Sequence, residues 1–181
     1  MKKQVLGAAV SAVFGIFAAT SAVAAPAEST ILWSGTIPGG FVGTDIGLAS
    51  PSGGQIQQGQ VSANEDGTFS STIVPVRAFA LDGVTGEIDP ATTYPNAINW
   101  WVANRAIQHN GVAGNAYDTT NLVVQVNGST VADNEQVATA AGNPDALIQV
   151  SYTSAPTGVV TPNDAISVRT TLFAEGDVGA L

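Results

Sequence analysis

Few residues in this chain could carry chemistry. Its 181 residues include one histidine, His109, and no cysteine. A single imidazole excludes a metal site built on paired histidines, and any Ser-His-Asp arrangement would have to use His109. No Gly-x-Ser-x-Gly elbow accompanies it. The run Gln108-His109-Asn110-Gly111 reads as a turn, which makes His109 a solvated loop residue. Acidic residues gather at Glu65-Asp66, Asp133-Asn134-Glu135 and Glu175-Gly176-Asp177. None has the Asp-x-Asp-x-Asp-Gly spacing of a calcium loop, so they read as solvated turns, with adventitious calcium the minor alternative. Two carboxylates for glycoside hydrolysis can come from distant strands, but nothing singles out a pair. The expectation is a chain with no catalytic centre, no bound metal and no cofactor: not an enzyme. An exported hydrolase acting through His109 ranks third among the readings.

The three tryptophans, Trp33, Trp100 and Trp101, offer the other chemistry. An exposed indole stacks on sugar rings, whereas most large apolar side chains serve a core or an interface. If residues 96–108 form a strand, one of the adjacent pair Trp100 and Trp101 must face outward, and a glycan platform would use that one.

The elements that position these residues read as β-strands. Gly, Pro, Asn, Ser and Thr punctuate the chain every several residues, and past residue 24 no stretch holds a helical period. Breaks fall at Pro38-Gly39-Gly40 and at residues 50–54. Runs 56–63 and 68–81 flank Asn64-Glu65-Asp66-Gly67, a hairpin turn with Gly67 at the positive-φ position. Pro75 marks an edge or a bulge in the second arm. Further strands are expected over 97–106, 122–126 (turning at Asn127-Gly128), 147–153 and 165–174. Residues 96–108 fit both periods: Ile98, Trp101, Val102 and Arg105 could line a helix, while Ile98, Trp100 and Val102 alternate as a strand. Strand is preferred. Strands at this spacing without crossover helices predict an antiparallel β-sandwich of one domain.

The first residues carry an export signal. Lys2 and Lys3 precede an apolar, alanine-rich run over 5–19, and Ala22-Val23-Ala24 supplies a small-x-small cleavage pattern. Pro26 disfavours cleavage directly before it, so cleavage is expected after Ala24. The signal takes both lysines with it, and the Met-Lys-Lys start points to a bacterium. The mature chain keeps Arg77, Arg105 and Arg169 as its only basic residues against fourteen acidic ones, a formal charge of −11. Such a balance disfavours nucleic acid and anionic membranes as partners. No other run approaches the roughly 20 apolar residues a membrane span needs, so no membrane insertion is expected. Without cysteines, stability must come from packing or from a partner chain.

Directly after the signal, residues 29–37 alternate. Ile31, Trp33, Gly35 and Ile37 point one way and Thr30, Leu32, Ser34 and Thr36 the other. An apolar face with one glycine gap suits a strand that enters a groove on another molecule, the glycine letting the backbones approach closely.

The segment Ala27-Glu28-Ser29-Thr30-Ile31-Leu32-Trp33-Ser34-Gly35-Thr36-Ile37 resembles the N-terminal extension of chaperone–usher pilus subunits, in the form Thr-Ile-x-apolar-x-Gly-x-apolar. The resemblance covers about eleven residues and implies a cysteine-free branch of that family. It implies residues 1–24 as signal peptide, 25–37 as an N-terminal donor-strand extension and 38–181 as the pilin domain. That domain would be an incomplete immunoglobulin-like antiparallel β-sandwich, all-β, whose missing strand leaves a groove. A periplasmic chaperone fills the groove first, and the next subunit's extension replaces it at an outer-membrane usher. By position, Ile31, Trp33, Gly35 and Ile37 would be the inserted residues. The family usually ends in an alternating strand with a late aromatic. Here Ile166, Val168, Thr170 and Leu172 alternate and Phe173 follows, but residues 175–181 read as a turn and tail.

The implied function is a structural subunit of a fimbria on the bacterial surface, exported through the periplasm, with neighbouring copies, chaperone and usher as partners. The alternative is a monomeric secreted β-sandwich that binds carbohydrate or forms biofilm matrix. In the first, residues 25–37 are dispensable for folding and required for assembly; in the second they are an ordinary strand.

Overall fold

The computed structural model describes residues 30–32, 46–114 and 116–176. Thirteen strands carry the fold: β1 Thr30–Leu32, β2 Ile46–Ala49, β3 Gln60–Ala63, β4 Phe69–Ser71, β5 Val74–Leu81, β6 Ile88–Thr93, β7 Ile98–His109, β8 Val112–Ala113, β9 Leu122–Val126, β10 Ser129–Val131, β11 Val137–Thr139, β12 Asp145–Tyr152 and β13 Ile166–Gly176. Among the described residues the only helical element is the single 3-10 turn Thr119–Asn121, and no helix is long and apolar enough to cross a membrane. Every ladder between these strands is antiparallel.

The larger sheet is organised around β12. One edge of β12 carries β4 and β5 end to end, Tyr152 opposite Phe69 and Asp145 opposite Arg77; the other carries β9, which hairpins into β10. Beyond β5 lies β2, while β6 continues the β5 edge that β12 pairs; beyond β4 lie β3 and then β1. In the smaller sheet β7 pairs with β13 along one edge and with β11 and β8 along the other. The two sheets share one core, with Val124, Val150 and Tyr152 from the first meeting Ile98, Trp100 and Val168 from the second. Alternation explains the membership. In β9 Leu122, Val124 and Val126 are buried, and in β12 Ala146, Ile148, Val150 and Tyr152 are.

The turns follow local chemistry. Gly67 takes φ 80° in the β3–β4 hairpin, and a Cβ there would collide with Pro156 Cγ. Asn127 and Gly128, at φ 52° and 80°, make the two-residue turn between β9 and β10. Several boundaries differ from expectation. The run 56–63 is strand only from Gln60, and the run 68–81 is interrupted between β4 and β5. Pro75 lies in β5 where β12 pairs one side; β2 pairs only residues 77–80 on the other, so the missing N–H removes no ladder bond there.

β7 is a strand, as preferred, but a broken one. Ala103 pairs with Thr171 and Ala106 with Arg169, so Asn104 and Arg105 face the single residue Thr170. Asn104 takes the extra step with φ 55°, a left-handed conformation that asparagine tolerates better than most residues. The bulge changes phase. Before it the even positions Ile98, Trp100 and Val102 are buried; after it the odd positions Ile107 and His109 are. Arg105 turns inward as well. Its guanidinium donates to Leu122 O at 3.3 Å and to Val131 O, and lies 2.6 Å from the Asp133 carboxylate, fastening β7 to β9 and β10.

Candidate functional site

His109 is not the solvated loop residue that its neighbours suggested. The bulge places it on the inward face of β7, 5% exposed, with Nε2 2.9 Å from Asp164 Oδ2 and the Tyr117 ring edge-on at 6.1 Å. Asp164 accepts from Asn110 Nδ2 at 2.8 Å and from the Thr161 backbone N–H at 2.6 Å. These donors, Asn110 first, then Thr161 and His109, hold its carboxyl well below the usual carboxylate range. The other ring nitrogen of His109, Nδ1, is buried with no hydrogen-bond partner among the described residues. A nucleophilic triad needs a hydroxyl on the imidazole, and among the described residues none is bonded to it. The pair ties the loop before β13 to the end of β7.

Three residues of the acidic clusters, Asp66, Asp133 and Glu135, have partners of their own. Asp66 accepts from the Thr68 backbone N–H and hydroxyl at 2.9 and 2.6 Å, which closes the β3–β4 turn and keeps its carboxyl low. Asp133 pairs with Arg105, and Glu135 Oε2 accepts from the Ala132 N–H at 2.6 Å. Glu175 is the last but one residue of β13, and Asp177 lies outside the described residues. Among the described residues no group of three or more His, Cys, Asp or Glu gathers to hold an ion.

The tryptophans separate by face. Trp100 is fully buried and donates Nε1–H to Thr139 Oγ1 at 3.1 Å, so it cannot stack on a sugar. Trp101 is the outward member of the pair, half-buried and stacked on Phe173 at 5.3 Å and 6° between planes. Of the four residues expected to form the inserted face, only Ile31 is described. Its backbone lies in β1, opposite Val61 of β3; Trp33, Gly35 and Ile37 lie outside the described residues, as do the signal and cleavage site.

The remaining feature able to recognise a partner is an edge. β13 is eleven residues long, and among the described residues it pairs with β7 alone. Its inward face is already committed to the core through Ile166, Val168 and Leu172. No described strand pairs with its opposite edge, and a strand edge beside buried apolar side chains is what an added strand requires. β1 lies close by: it belongs to the other sheet, yet its Cα atoms come within 8 Å of those of β13. Sequence alternation located β13 itself. Which of its edges has a described partner depends on which strands become neighbours, and local pattern carries no sign of that.

A scan against protein-family models, a search of curated proteins and a search of solved structures each returned no match for this chain.

Proposed function

We propose that this chain is a structural subunit of a bacterial surface fimbria, joined to its neighbours by insertion of the 25–37 extension of one copy along the β13 edge of the next. One observation carries the reading. In chain order β2, β5, β7, β9, β12 and β13 can be matched to the first six strands of an immunoglobulin-like sandwich, with β2-β5-β12-β9 in one sheet and β7-β13 in the other. The seventh strand of that plan lies against the outer edge of the sixth. No described strand occupies that position on β13. Residues 29–37 have the alternation and length to take it. The resemblance to chaperone–usher subunits points to the same occupant, to a periplasmic chaperone that covers the edge before assembly, and to an outer-membrane usher.

The driving force on this reading is core completion. Each large side chain that Ile31, Trp33 and Ile37 bring into the groove contributes about 1.5–3 kcal/mol of burial, and the backbone bonds along β13 add to it. Gly35 lets the strand approach where a side chain would stand it off. No catalytic group is required.

The test compares the purified mature chain with one lacking residues 25–37, by gel filtration and negative-stain microscopy. Fibres from the full chain and a folded monomer from the truncation support the reading. Equal, stable monomers from both would reject it and favour the monomeric alternative, which draws on the pairing of Thr30–Leu32 with β3 of the same chain and on the outward Trp101.

A further inference from the structure

We infer that the N-terminal strand is parked in the monomer, and that pairing of β1 with β3 of its own chain restrains assembly until it is released. The inference rests on the fimbrial reading and adds a regulatory step to it. β1 forms a three-residue antiparallel ladder, Thr30 opposite Ser62, Ile31 opposite Val61 and Leu32 opposite Gln60. The other edge of β3 is held by β4, so β1 is the outermost described strand at that end of the larger sheet. Ile31, the first of the residues expected to enter a neighbour, is therefore engaged at home, and the edge of β1 that faces β3 is closed to any other strand while it stays there.

The position of β1 makes the restraint two-sided. Its Cα atoms also come within 8 Å of those of β13, the strand that would receive a neighbour's extension. A parked chain is thus hindered both as donor and as acceptor. The restraint is also weak by construction, since a three-residue ladder is exchanged for pairing along an eleven-residue edge. Parking delays assembly without opposing its end point, and the exchange has the form of a strand swap between identical chains.

The absence of native cysteine allows a clean test. Thr30 and Ser62 are ladder partners, and the Cα separation of such partners lies within disulfide reach. The double variant Thr30→Cys, Ser62→Cys is purified as the mature chain, and fibre growth is followed by light scattering and microscopy with and without dithiothreitol. Neither residue belongs to the inserted face. The oxidised form should grow fibres at least tenfold more slowly than the reduced form, and reductant should restore wild-type growth. Equal growth of the oxidised and reduced forms would overturn the restraint while leaving the fimbrial reading intact. Failure of the disulfide to form under oxidation would show that β1 does not reside on β3, which also overturns it. Absence of fibres from the wild type and from both forms of the variant would reject the fimbrial reading itself.

Discussion

Asn104 in β7 and Thr170 in β13 face each other across a β-bulge, where two residues of one strand answer a single residue of the other. The bulge turns Arg105, Ile107 and His109 into the sandwich and fixes the course of the β13 edge. Asn104 is the hinge, at φ 55°. Asn104→Gly should leave the melting temperature unchanged or raise it slightly. Asn104→Val forces a β-branched residue into left-handed backbone and should cost roughly 1–2 kcal/mol. Deletion of Asn104 leaves Arg105 alone opposite Thr170 and restores simple alternation with Ile107 and His109 still on the inward face, so this variant should fold; circular dichroism melts check all three.

Asp164 gives the fold a sensitivity to acid. Its carboxyl is held low in the folded protein, chiefly by the Asn110 side chain and then by the Thr161 N–H and His109. A depressed carboxylate contributes stability that is complete above the unfolded value of about 3.9 and is lost as pH falls through the folded value. Asp164→Asn should therefore lower the melting temperature at pH 7 and flatten its decline below about pH 4 relative to wild type. A parallel decline in both proteins would contradict this.

Trp100 is the largest fully buried side chain among the described residues, and its indole N–H is satisfied by Thr139. Trp100→Ala should cost about 3–5 kcal/mol, enough to unfold a marginal domain. Trp100→Phe keeps most of the packing but leaves the Thr139 hydroxyl without that donor, and should cost less. Trp101→Ala, on the outer face, should cost less than Trp100→Ala. Urea titrations rank the three.

Gly35→Leu tests the approach of the inserted strand. On the fimbrial reading the variant is secreted and folds with wild-type stability, while fibre yield falls at least tenfold because the added side chain holds the strand away from β13. Normal fibre yield would sink the assignment of Gly35.

The parts of this fold that were legible in the sequence are those governed by neighbouring residues. Asn64-Glu65-Asp66-Gly67 and Asn127-Gly128 announce their turns because backbone conformation there is decided within four residues. Alternation likewise marks β9, β12 and β13. The weaker elements escape it. β6, Ile88–Thr93, carries a proline and little apolar side chain, and exists by pairing with β5; β11 is only three residues laid on β7. His109 reads as a loop residue because a turn follows immediately, whereas the switch from even to odd apolar positions, Val102 to Ile107, marks a bulge that turns it inward. That switch was the available signal. The Asp164 and Tyr117 partners of His109 are set by tertiary contact across 55 and 8 residues and have no local sign. The outward placement of one of the two adjacent tryptophans was legible, since a strand permits no other arrangement.

The central claim is that the β13 edge receives the N-terminal extension of a neighbour. The most direct measurement adds a synthetic peptide of residues 28–38 to the chain lacking residues 25–37, and follows amide hydrogen exchange across the protein. The account predicts a one-to-one complex in which slowed exchange concentrates in residues 166–176, together with a rise in melting temperature. Protection confined to β3, or no complex at all, would contradict it.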